Sequence, residues 1–250
     1  MQQWGWRLAS FVLVFGIWEL AGRWPISPAF PSFSATALAF LQLAVDGSFT
    51  RAYAETLPPL LTGLAIISVG GVMAGVTMGL SRGAEWLLLP LFVILQTAPL
   101  AAVVPIITYI YGIGFAAKVV AVVMLSAPLV VLNCYKGVRH PDPSLLQMTR
   151  SFLGSRRQEI QKIVLPQASP IIFAGLRLGV SGGFLGAILA EILITPTGIG
   201  DLITYNRSSL EYANMYAAIA STIVLSTASL ALLKKIEVRI FGAVAPAVEE

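Results

Sequence analysis

A chain of 250 residues that is 57% hydrophobic and only 11% charged lies far from the soluble-domain average of about 25% charged, and belongs with polytopic membrane proteins. Its net charge of +4 reads as basic loops on one side of a bilayer, not as a nucleic-acid surface. One cysteine and one histidine exclude an intrachain disulfide and a Cys/His metal cluster, so no metal site and no cofactor are expected. Neither G-x-x-x-x-G-K-S/T nor H-E-x-x-H occurs, so the chain builds no P-loop and no zinc-protease helix. With one histidine, a Ser-His site could only use His140, whose loop position is wrong for an intramembrane active site. It reads as a non-enzyme.

The first apolar span covers residues 8–21, between Arg7 and Arg23, with Glu19 interrupting its end. The missing small-residue cleavage site argues for a retained helix and not a signal peptide. Pro25, Pro28 and Pro31 make an extended stretch. Ser34 is placed to cap a short interfacial helix carrying Leu38, Leu41 and Val45, stopped by Asp46-Gly47. Residues 57–80 form a second span, longer than the roughly 20 residues a bilayer core requires. Its Gly71, Gly75 and Gly79 share one face, which serves close helix packing within the chain or a subunit interface.

Residues 86–111 read as a third span kinked by Pro90, Pro99 and Pro105. Gln96 and Thr97 lie near its middle, where they line a pathway or make interhelical hydrogen bonds. Gly112-Ile113-Gly114 is a tight turn. Residues 119–132 are the core of the fourth span. The fifth covers 171–193, with Gly175, Gly179 and Gly183 on one face, Ser181 among them, and Arg177 placed to snorkel to the nearer interface. Glu191 lies near its far end. A carboxylate at the centre of a bilayer helix costs about 2.5–3.5 kcal/mol, so Glu191 reads as pathway-facing or interfacial. Residues 195–212 are a polar re-entry, residues 215–233 a sixth span, and 243–250 a frayed tail.

The longest polar interval is residues 139–166, RHPDPSLLQMTRSFLGSRRQEIQKIVLP. Leu145, Leu146, Met148 and Phe152 recur at helical spacing after Asp142-Pro143-Ser144. Gly154-Ser155 breaks the run. Ile160, Ile163 and Val164 make a second apolar stripe among Arg156, Arg157, Glu159, Gln161 and Lys162, and Pro166 is expected to end it. The interval is a solvated basic loop or a docking platform for a partner. His140, at its start, reads as a surface or cap residue.

The run from Ser151 to Pro166, followed by Gln167-Ala168-Ser169-Pro170, resembles the coupling-loop signature of ABC-importer permease subunits, nearest the branch that moves nitrate, sulfonates, taurine and some pyrimidine or vitamin precursors. Ala190-Glu191 and Gly198-Ile199-Gly200 extend the likeness. Two positions depart from the pattern: Gln147-Met148-Thr149 stands for Glu-Ala-Ala, and Leu153 holds the usual Gly position with Gly154 one step later. The resemblance implies an all-α permease domain over residues 1–250, with a core at about 55–240, about six transmembrane helices and a two-helix coupling loop at 139–166.

In that reading Thr149, Phe152, Leu153, Gly154, Ser155, Arg156, Leu165 and Pro166 meet a cytoplasmic ABC ATPase. An extracytoplasmic substrate-binding protein delivers a small solute, and a second permease copy completes the pathway, for which Gln96, Thr97, Ser181 and Glu191 are the candidate lining. Eleven of the sixteen lysines and arginines fall on the loop side of a six-span topology and four on the other. The positive-inside rule therefore places the loop and both termini in the cytoplasm of a bacterial inner membrane. The alternative is a secondary transporter working without an ATPase, against which stands the lack of an internal repeat.

Overall fold

The computed structural model of the chain describes residues 2–24, 27 and 29–241. Pro25, Pro28 and the tail at 243–250 lie outside the described residues, as does the side chain of Arg7. All regular structure among the described residues is helical. In chain order the helices are α1 (Gln2–Arg23), α2 (Phe33–Val45), α3 (Ser48–Leu80), α4 (Arg82–Thr97), α5 (Leu100–Tyr111), α6 (Phe115–Arg139), α7 (Pro143–Ser151), α8 (Arg156–Leu193), α9 (Ile199–Ser208) and α10 (Tyr212–Phe241). Single π-helical stretches interrupt α3 at Ile67–Gly71 and α8 at Ile160–Val164.

The chain is an all-α polytopic membrane protein. Among the described residues, helices α3, α6, α8 and α10 are long and apolar enough to cross a bilayer. Helix α1, although 22 residues long, is not among the helices apolar enough to count as a crossing. Helices α4 and α5, bent by 108° at their break, form either one broken crossing or a re-entrant pair. The third span is thus not one kinked helix. Ala98 and Pro99 are both extended, with ψ of 122° and 117°. Pro99 bars the α conformation at Ala98 and brings no N–H of its own, so the helix stops at Thr97 and restarts at Leu100.

The chain forms two compact units, residues 1–57 with 195–225 and residues 58–194 with 226–250. In the first, Glu19 has a structural use. Its carboxylate accepts the Ser34 N–H at 2.8 Å and the Ser34 hydroxyl at 2.9 Å, holding α1 to the start of α2. The N-cap of α2 is Ser32, not Ser34: the Ser32 hydroxyl accepts from the Ala35 N–H, which fixes the first turn two residues earlier than the sequence pattern placed it. The rings of Phe15, Trp18 and Phe33 cluster beside it, Phe15 stacked on Trp18 and Phe33 meeting Trp18 edge-on. Residues 195–212 hold the ten-residue helix α9, whose first N–H, on Ile199, is satisfied by the Thr56 hydroxyl at 3.0 Å.

In the second unit α6 is the most buried of the spans, and helices on two sides approach it through glycine. A Cβ at Gly75 of α3 would stand 2.5 Å from the Cys134 Cβ, and one at Gly79 would stand 2.5 Å from Val138. From α8, a Cβ at Gly179 would stand 2.4 Å from Val130 and one at Gly186 2.7 Å from the Ala121 carbonyl oxygen. The stripe on α3 therefore packs within the chain. Arg177 donates to the Glu237 carboxylate and so is held by an ion pair, not simply stretched towards an interface.

Candidate functional site

The polar interval between α6 and α8 is a folded element. Asp142 caps α7, and its carboxylate accepts from both the hydroxyl (2.7 Å) and the N–H (2.8 Å) of Ser144. The Ser144 hydroxyl, then its N–H, holds the Asp142 carboxyl below the usual range. The Asp142 N–H donates to Gln167 Oε1 at 3.1 Å, pinning the start of α7 to α8. Leu146 packs against Val138, Val164 and Ala168, seating α7 on the spans beneath.

At the root of this element, Arg139 pairs with Glu85 at 2.9 Å and the Tyr135 hydroxyl donates to Glu85 at 2.6 Å. The end of α6 is thereby tied to the first turn of α4.

The turn between α7 and α8 accounts for the second of the two departures, Leu153 at the usual Gly position with Gly154 one step later. Leu153 has φ of +55°, the left-handed conformation for which a glycine is favoured. The usual Gly position thus keeps its conformation while carrying a leucine. Gly154 serves a different need. Its N–H donates to the Thr149 carbonyl at 2.9 Å, and a Cβ there would stand 2.5 Å from Thr149 Cγ2. Thr149 is held in place by its own hydroxyl bond to the Leu145 carbonyl. The outcome is an apolar tip: Phe152 is 81% and Leu153 93% exposed, in a setting of Arg150, Arg156 and Arg157.

Ser155 caps α8 in a reciprocal capping box with Gln158, a signal legible as S-R-R-Q that the sequence reading passed over. Glu159, expected among the polar residues around the second apolar stripe, is instead buried. This buried carboxylate accepts from Arg156 at 2.9 Å and from Arg150 at 3.5 Å, tying α7 to α8. Leu165 and Pro166 do not end the second helix. The strand of helix from Arg156 to Leu193 is continuous, because the π turn at Ile160–Val164 widens the backbone where the Pro166 ring would meet the preceding turn.

Gln96 and Thr97 are exposed at the last turn of α4, immediately before the bend. The Thr97 hydroxyl returns to the Ile94 carbonyl at 2.9 Å. Ser181 is exposed on α8 between Leu178 and Leu185, both exposed. Glu191 is apart from these three. It is buried at 2% exposure and bonds to Lys118 Nζ at 2.9 Å. No three His, Cys, Asp or Glu side chains gather among the described residues.

Replacing Leu153 by glycine is expected to relieve a left-handed leucine worth about 1–2 kcal/mol, less the extra freedom glycine gives the unfolded chain. The thermal unfolding midpoint in detergent should hold or rise slightly, while any partner that grips the apolar tip is lost. A fall in the midpoint would mean that the Leu153 side chain itself supports the turn.

A bundle of broken and continuous apolar helices around α6, with a polar two-helix element projecting between two crossings, defines a membrane transport subunit. The description "binding-protein-dependent transport system inner membrane component" matches residues 66–242, well over half of the chain, and the chain belongs to that family. It is 30% identical over 171 residues to a protein of Haemophilus influenzae described as an ABC transporter permease, covering 68% of this chain and 70% of that one. A protein of Bacillus subtilis described as an aliphatic sulfonates transport permease is 25% identical over 222 residues, 87% of this chain and 80% of that one. The formylaminopyrimidine transport permease of Halalkalibacterium halodurans is 26% identical over 228 residues, 91% of each chain.

Proposed function

We propose that the chain is the membrane-spanning permease subunit of an ATP-driven importer, and that the element from Asp142 to Pro166 is the seat of its ATPase. The observation that carries this reading is the apolar tip at Phe152 and Leu153, held out by a left-handed turn and ringed by arginines. An exposed large apolar pair on an ordered, hydrogen-bonded element is a contact surface. Its surround favours a partner whose groove has an acidic rim. ATP-driven closure of a pair of such ATPases moves the two platforms, and each platform carries α8 and, through Arg139 and Glu85, α4. The loop and both termini face the cytoplasm. A binding protein delivers solute on the other side, and a second copy of the chain completes the pathway past Gln96, Thr97 and Ser181.

The solute is a small sulfonate, taurine, nitrate, or a pyrimidine or vitamin precursor. A lone Glu191 would disfavour anions among these. With Lys118 bonded to it, that local charge is offset, and a sulfonate meets no net repulsion there. Lys118 also leaves the count of charges that oppose the proposed orientation, because it is buried in an ion pair and not solvated in a loop.

The test is co-purification in mild detergent of the wild-type chain and of a Gly154→Pro, Arg156→Glu variant. The variant removes the N–H that Thr149 accepts and turns an arginine facing Glu159 into a like charge. A P-loop ATPase that accompanies the wild type, and at least tenfold less of it with a still-folded variant, is the expected result. A wild-type complex lacking any ATPase would overturn the reading. Uptake by the chain alone in vesicles without ATP would do the same.

A further inference from the structure

We propose that the Lys118–Glu191 pair is the fastener that seats the half-helix α5, and that Glu191 acts by positioning this helix and hence the bend at Ala98–Pro99. Both side chains are almost wholly buried, at 3% and 2% exposure, with Nζ and Oε1 2.9 Å apart. Burying an ion costs several kcal/mol, offset only when a close partner of opposite charge is fixed in place. Neither charge is there for the sake of its own helix. Lys118 lies in the first turn of α6, at the positive end of the helix dipole, and Glu191 lies in the last turn of α8, at the negative end. Each is at the end that disfavours it. Their placement is explained by the bond between the two helices.

What surrounds the pair says what that bond supports. Ala117 and Ala121 flank Lys118, and Ala190 and Ile194 flank Glu191. These four residues form one buried cluster with Leu100, Val104 and Ile107 of α5. The floor on which α5 rests is therefore made by the same two helix ends that the pair joins. Since α5 meets α4 through only Ala98 and Pro99, the seat of α5 sets the bend, and with it the direction in which Gln96 and Thr97 are presented. The inference rests on the transport-subunit reading for its consequence, but its test needs neither ATPase nor solute.

The experiment measures the distance between spin labels at Tyr109 of α5 and Leu178 of α8, both exposed, in the full chain reconstituted in lipid nanodiscs. The one native cysteine is removed as Cys134→Ala. Wild type should give one narrow distribution. Lys118→Met and Glu191→Gln singly each break the bond between the two helix ends while keeping one buried charge, and are expected to broaden or shift the distribution by about one helical turn, roughly 5 Å. The double variant Lys118→Met, Glu191→Gln removes both charges and should restore the wild-type distance. The exchange Lys118→Glu, Glu191→Lys should restore it too, since each charge then sits at the favourable helix end. This pair of variants decides the matter even where a single variant fails to fold. Single variants with the wild-type distance, or a double and an exchange variant as displaced as the singles, would overturn the proposal. An importer without an ATPase would leave these distances as they are, so the two readings fail separately.

Discussion

Replacing Gly186 by leucine is expected to leave no folded protein. A Cβ at this position would lie 2.7 Å from the Ala121 carbonyl oxygen, 2.9 Å from Val122 Cα and 3.1 Å from the Ala121 carbonyl carbon. All three are backbone atoms, so no rotamer change relieves the clash and α8 must move off α6. Overpacking a well-packed core costs typically about 1–3 kcal/mol when side chains can adjust. Here they cannot, and separation at Gly186 also draws apart the approaches at Gly182 and Gly179 on the same face. Gly75→Leu is expected to act alike from the other side of α6, where Val131 O stands 2.6 Å from the built Cβ. Gly70→Ala is the control, since nothing lies within 4 Å of its Cβ. Size-exclusion profiles in detergent should show a single sharp species for Gly70→Ala and aggregate for the other two. A monodisperse Gly186→Leu protein with the wild-type unfolding midpoint would contradict the close approach of α6 and α8.

The glycine stripes show which part of such a fold a sequence makes legible. Spacing alone put Gly71, Gly75 and Gly79 on one face and Gly175, Gly179 and Gly183 on another, because helical periodicity is local. That both faces are turned to the same helix, α6, is tertiary and has no local sign. The prolines make the limit plainer. Pro90, Pro99 and Pro105 look alike in sequence, yet only Pro99 ends a helix. A proline stays within a helix when other donors take up the carbonyls it frees. The Pro166 carbonyl, which Pro170 cannot serve, accepts from the Ser169 hydroxyl at 2.8 Å. Such donors are set by rotamer and neighbour, not by pattern.

The candidate site was legible in the same uneven way. The break at Gly154-Ser155 and the short helix before it follow from periodicity and caps, whereas the second helix, expected to end at Pro166, runs on to Leu193. The roles of Leu153 and Gly154 within the turn needed backbone angles, and the separation of 73 positions between Lys118 and Glu191 hid a bond that no local pattern marks. Glu19 was hidden likewise: a charge that interrupts the end of a span holds the start of the next helix.

Glu159→Gln is expected to reduce ATPase binding about tenfold without lowering the unfolding midpoint of the membrane core. Glu159 is the only carboxylate within ion-pair distance of Arg150 and Arg156 among the described residues, and it is buried while both guanidiniums are largely exposed. Hydrogen bonds to a charged group contribute about 1.5–3 kcal/mol. Solvent screening at the exposed arginines reduces this to about 1–2 kcal/mol for the set, and 1.4 kcal/mol corresponds to a factor of ten in affinity. The glutamine keeps the shape and one acceptor but withdraws the charge that holds α7 against the first turn of α8. Phe152 and Leu153 stand at the junction of those two segments, so slack between them enlarges the set of orientations that a partner must narrow on binding. The core helices do not use this tie, because the base of α7 is fixed separately by Leu146 and by the bond from the Asp142 N–H to Gln167. Titration of the purified ATPase against wild-type and variant protein in nanodiscs measures the ratio. Equal affinities would show that the turn at Leu153 and Gly154 presents the apolar tip without help from Glu159.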